Sequence, residues 1–166
     1  MNTLRFSELK VLLQLIDESF SKKAWHGPNL RGSIRGLTSQ QAAWRPSPKR
    51  HNIWEIVVHC AYWKYVVRRR ILGEKRGSFP LEGSNWFRRP ENKSEVAWRR
   101  DIQLLEDMHE LMVEAIEDLK PADLKKKVWK SWSTHSTIAG IAMHDVYHAG
   151  QIQLLKRLVK QLHRYS

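Results

Sequence analysis

His144 and His148 stand four residues apart in the segment IAMHDVYHAGQI, residues 141–152. On a helix that spacing is about one turn, so both imidazoles leave from the same face. Ile138, Ile141, Asp145, Ile152, Leu155 and Val159 fall close to that face and turn the histidines toward a core rather than toward water. Two imidazoles so placed can offer neutral nitrogens to a single transition-metal ion. They can equally be core histidines hydrogen-bonded to neighbours, and the HxxxH spacing alone does not separate the two readings. A metal centre needs a further ligand, so the elements that surround the pair must supply it.

Apolar residues at Leu4, Leu9, Leu12, Leu13, Leu15, Ile16 and Phe20 have the period of a helix and predict one from Leu4 to about Lys23. Gly27, Pro28, Gly32 and Gly36 then break the pattern. Thr38 or Ser39 can cap a short helical turn through Gln41 and Ala43, which Pro46 and Pro48 stop. A second long helix is expected from Ile53 to Leu72, with Asn52 as N-cap and Glu55 at the N3 position of a start resembling a capping box. Gly73 closes it. Ile56, His59, Trp63, Val66 or Val67 and Arg70 follow one another along one face of this helix.

Residues 73–94 are rich in Gly, Pro, Ser and Asn and predict a long loop, a feature more often functional than idle in a compact domain. Trp86 within it either lines the mouth of a pocket or fastens the loop down. Ser94 can cap a third helix, Glu95 to Leu119, whose stripe runs through Ile102, Leu105, Met108 or His109, Met112 and Ile116 before Pro121 ends it. Residues 120–135 are polar and short extended structure is expected there. The fourth helix starts after one of Ser133, Thr134 or Ser136 and continues to about His163. Gly150 costs about 1 kcal/mol against alanine mid-helix, and close approach of a neighbouring helix is the expected reason for it. Four long amphipathic helices make an all-α four-helix bundle, a single domain over residues 1–166.

In an antiparallel bundle the second and fourth long helices can face each other, which brings His59 to His144 and His148. Three histidines with no cysteine or carboxylate among them leave coordination positions open for water or substrate, as catalytic sites do and closed structural sites do not. Imidazole suits zinc, nickel, copper or ferrous iron. Asp145 beside the pair could accept a hydrogen from an imidazole, or form a salt bridge on the helix surface. Cys60 adjoins His59 but is rotated about 100° from it around the helix, which points to core packing. His26, His51, His109, His135 and His163 have no partner at ligand spacing and read as surface or loop residues.

Composition bounds the rest. The chain has 166 residues, 29 Lys and Arg against 17 Asp and Glu, a formal charge of +12, and one cysteine, Cys60. An intramolecular disulfide is excluded and a cytoplasmic protein is expected. No apolar run approaches the ~20 residues that span a bilayer. The first twenty residues carry Glu8, Asp17 and Glu18 and lack a small-residue cleavage site, so a signal peptide is not expected. The positive charge invites a nucleic-acid reading. The basic residues are nevertheless spread along the chain in pairs and triplets such as Arg68–Arg70, Arg88–Arg89 and Lys125–Lys127, without a basic stripe or a zinc-finger pattern. They suit a solvated surface as well as a nucleic-acid footprint.

The order of the segments LTSQQAAWRPSP, NIWEIVVHCAYW and STIAGIAMHDVYHAGQIQLLKR resembles the DinB/YfiT-like family of metal-dependent enzymes. The resemblance covers most of the chain. It implies a four-helix bundle, homodimeric in many members, with one divalent metal held by a histidine of the second helix and the HxxxH of the fourth, here His59, His144 and His148. It further implies a small-molecule substrate and a metal-activated thiol or water, as in S-transferases that use a low-molecular-weight thiol, or in hydrolases. Arg68–Arg70 or Arg88–Arg89 near a pocket mouth would suit an anionic thiol. The alternatives from other classes are a basic bundle that binds nucleic acid and a non-catalytic bundle whose metal only staples helices together.

Overall fold

The computed structural model of the protein describes residues 7–162. The expected beginning of the first helix at Leu4 and end of the last at His163 lie outside these residues. Four long helices dominate: α1 (Glu8–Phe20), α4 (Ile53–Leu72), α5 (Glu95–Glu117) and α6 (Thr134–Leu162). Two short ones, α2 (Leu30–Ile34) and α3 (Ser39–Ala43), lie between α1 and α4. A 3-10 turn over Pro121–Lys125 and a two-stranded hairpin, β1 (Lys127–Trp129) and β2 (Trp132–Ser133), join α5 to α6. The architecture is the all-α bundle that the periodicity requires. Among the described residues no helix is long and apolar enough to cross a membrane.

The helix ends follow local chemistry. Asn52 caps α4 by accepting the Glu55 N–H at 2.7 Å, and Gly73 ends it in the left-handed region at φ 70°. Thr38, not Ser39, is the cap of α3, in a full capping box with Gln41. Ser94 accepts the Ala97 N–H at 3.1 Å to start α5. Three details differ from the sequence reading. The segment with Gly32 is not a plain break, because Asn29 accepts the Gly32 N–H at 2.8 Å and starts the one-turn α2. Glu55 does not close a box on Asn52; its carboxylate takes Arg45 and His51 instead. Gly150 is exposed and a Cβ built there would meet nothing within 4 Å, so helix packing is not what places it.

The core has two parts. One gathers Trp54, Val57, Val58, Ala61, Trp98, Leu105 and Ile152 between α4, α5 and α6. The other gathers Leu12, Ile16, Met112, Ile116 and Ile138 between α1, α5 and α6. Helices α4 and α6 pack directly on each other, and this contact brings the second-helix histidine and the HxxxH pair together.

A three-histidine cluster between α4 and α6

The Nε2 atoms of His59 and His148 each lie 3.1 Å from the Nε2 of His144. His59 and His148 are only 5% and 4% exposed, so the cluster meets solvent mainly along the His144 side. The three rings cross at steep or oblique angles, 34° to 76°. They point nitrogens at one place and do not stack on one another.

What lies behind each ring decides which nitrogen is free. His59 Nδ1 donates to the backbone carbonyl of Asn85 at 2.8 Å, which leaves a lone pair on its Nε2. His148 Nδ1 faces the side-chain oxygen of Gln151 at 2.7 Å, with the same result. The Nδ1 of His144 is buried and has no partner among the described residues. Burial pushes the pKa of His59 down to about 4 and that of His144 down to about 3, and lowers that of His148 too. At neutral pH three uncharged imidazoles therefore converge. A single N–H on His144 Nε2 can satisfy one neighbouring lone pair and leaves the other facing it. A cation satisfies all of them. Two nitrogens bound tetrahedrally at about 2.0–2.1 Å to one ion stand roughly 3.3 Å apart, close to the separations found. The donor set and spacing fit a divalent transition metal.

The loop between α4 and α5 braces the cluster from outside. Asn85 sits at φ 65°, a conformation asparagine tolerates better than most residues, and its side-chain oxygen accepts the Trp63 Nε1–H at 2.9 Å. Trp86 is stacked between His59, with centroids 3.8 Å apart, and His51, 3.7 Å apart. Of the two roles open to Trp86, the packing is that of a brace: it covers the rear of His59. The loop's far end is anchored by Arg89, 4% exposed and 3.1 Å from Asp101, which also accepts the Trp54 Nε1–H at 2.7 Å. Arg89 is thus committed to the interior and is not at a pocket mouth. Arg70 does lie beside a pocket, its guanidinium over the Trp129 ring at 4.4 Å.

Asp145 is fully buried, and its partner is neither an imidazole nor a surface cation. It pairs with Lys64 of α4, which is buried as completely. One Asp145 oxygen is without a hydrogen-bond partner among the described residues. Cys60, His144 and Asp145 form a second close group, with donor atoms within 4.8 Å of one another. There the carboxylate is taken by Lys64, and burial pushes the Cys60 thiol well up, so it stays protonated core packing. His109, expected on the surface, is instead 7% exposed and stacked on Phe20 at 3.6 Å.

A cleft of about 290 Å³ runs from the edge of His144 between Trp63, Trp129 and Trp132. These tryptophans escaped the sequence reading as site residues because they come from separate elements. The signal available was that Trp63 follows His59 by one turn on α4. No curated protein sequence matches the chain. The family model described as the DinB superfamily matches residues 24–152. With that match over most of its length, the chain belongs to the DinB superfamily.

Proposed function

We propose that His59, His144 and His148 bind one divalent transition-metal ion through their Nε2 atoms, and that the protein is a metal-dependent enzyme of the thiol S-transferase or hydrolase type. The observation that carries this reading is the convergence of three neutral nitrogens, two of them each 3.1 Å from that of His144 and all within 4.8 Å of one another, with the outward nitrogens of His59 and His148 already committed. Such an ion acts as a Lewis acid that lowers the pKa of a thiol or water beside it. The chain's own part is positioning. Asn85 and Gln151 fix which nitrogens face inward, Trp86 holds the His59 ring, and burial shields His59 and His148 from water.

The His144 edge, left open to the cleft, is where a small-molecule substrate would meet the centre. Arg70, whose guanidinium lies over the Trp129 ring of the cleft, would favour a thiol cofactor that carries negative charge. A purely structural staple is the weaker reading, because the cluster ends on a cleft and not in packed core.

The test is metal content. Protein purified without chelator is expected to carry, or take up from added zinc or nickel, about one ion per chain, and His144→Ala is expected to lose it. Full occupancy in His144→Ala and His59→Ala would refute the ligand assignment.

A further inference from the structure

Helical spacing makes the cleft a continuation of the histidine cluster. On α4, Trp63 and Val67 follow His59 at intervals of one turn; on α6, Thr137, Gly140 and Ile141 precede His144 on its own face. The hairpin closes the far side with Trp129 and Trp132. Trp63 and Trp129 lie 5.4 Å apart with their planes 27° from parallel, and the Arg70 guanidinium over Trp129 helps to hold that ring in place. Trp132 is 56% exposed, so part of its ring at the cleft is open to an occupant.

Several polar groups of the lining are committed. Thr137 donates its hydroxyl to the Ser133 carbonyl at 2.8 Å, the Ser136 oxygen accepts from Ser133, and the Trp63 N–H is held by Asn85. What remains for an occupant is the tryptophan surface that Arg70 and the Trp63–Trp129 pairing leave uncovered, aliphatic side chains, the Ser136 O–H, the indole N–H groups of Trp129 and Trp132, and the edge of His144. We infer that this cleft binds a flat aromatic molecule of one or two fused rings, seated against the tryptophans with its polar end toward His144. Flat rings gain from tryptophan faces by offset stacking or edge contact beyond simple burial. A cleft of about 290 Å³ is at the small end for ligand sites and suits such a size. In the metal-dependent reading, on which this inference rests for its catalytic meaning, the aromatic molecule is the electrophilic substrate; its binding is separable from the metal.

Gly140 makes the test clean. A Cβ built there meets nothing within 4 Å, and leucine is a better helix former than glycine, so Gly140→Leu puts an aliphatic side chain into the cleft lining while favouring the helical backbone of α6. Titration calorimetry would compare 2-naphthol with its saturated analogue decahydro-2-naphthol, on metal-loaded and chelator-treated protein. The expected result is that 2-naphthol binds both forms, at least about tenfold more tightly than the saturated analogue, and that Gly140→Leu weakens it by at least about tenfold while metal uptake is unchanged. No binding, equal binding of the two compounds, or full affinity in Gly140→Leu would overturn the inference. Naphthol binding to a protein that takes up no metal would sustain the inference while the metal reading fails. Loss of metal in the histidine variants with no naphthol binding would do the reverse.

Discussion

His148 Nδ1 and the Gln151 side-chain oxygen face each other at 2.7 Å across less than one turn of α6. The amide thereby selects the tautomer of His148 that leaves Nε2 free toward His144, 3.1 Å away. Partners of this kind raise ligand basicity and fix ring orientation, and their loss typically weakens metal binding about 10- to 100-fold. Gln151→Ala is therefore expected to bind zinc that much more weakly, with little change in melting temperature for the metal-free protein. Competition against a chromogenic chelator would measure it. Unchanged affinity would mean that His148 needs no help from Gln151.

His109 supplies a second expectation, this one about acid. Its ring is stacked on Phe20, and burial, with the nearby Lys64 charge, pushes its pKa down to about 2 from the ordinary 6.5. The group is held neutral in the fold, so its contribution to stability is complete above pH 6.5 and is lost as pH falls from there toward the folded value. Over that window the unfolded chain binds one more proton at this site, a slope of about 1.4 kcal/mol per pH unit from one fully titrating group. His109→Gln is expected to lessen, by this one group's share, the fall of urea-unfolding free energy between pH 6 and pH 4, to which the depressed His59, His144 and His148 also contribute. The same slope in the variant would place the acid sensitivity elsewhere.

Why some of this is legible in the sequence and some is not follows from range. Caps are local, so Asn52, Ser94 and Gly73 mark the ends of α4 and α5 within a residue or two. The three clustered histidines are legible because each lies on a stripe whose period is fixed by the helix, and only one packing of α4 on α6 is needed to join them. His109 lies on such a stripe as well, between Leu105 and Met112, and its burial was available to a stricter reading of that period. Lys64 is similar: it continues the line Val57, Cys60 and Ala61, an inward place for a cation that implies a buried anion somewhere. Which anion it meets, and how Trp63, Trp129 and Trp132 come to wall one cleft, depends on contacts between residues far apart in sequence. Periodicity carries no record of those.

The buried Lys64–Asp145 pair ties together the two helices that hold the histidines, immediately beside His144. Taking either charge away leaves the other in a dry interior with no counter-ion, which typically costs about 3–5 kcal/mol. Lys64→Met and Asp145→Leu are each expected to lose stability on that scale in urea unfolding. The double variant removes both charges and replaces them with apolar groups, so it should be markedly more stable than the sum of the single losses implies. If the two losses simply add, the pair is not interacting as an ion pair in solution. Zinc affinity separates a second question. Among the described residues, one Asp145 oxygen and the Nδ1 of the adjoining His144 have no partner. A double variant that recovers stability but binds zinc more weakly would show that the carboxylate also tunes His144, whereas recovery of both would assign the pair to structure alone.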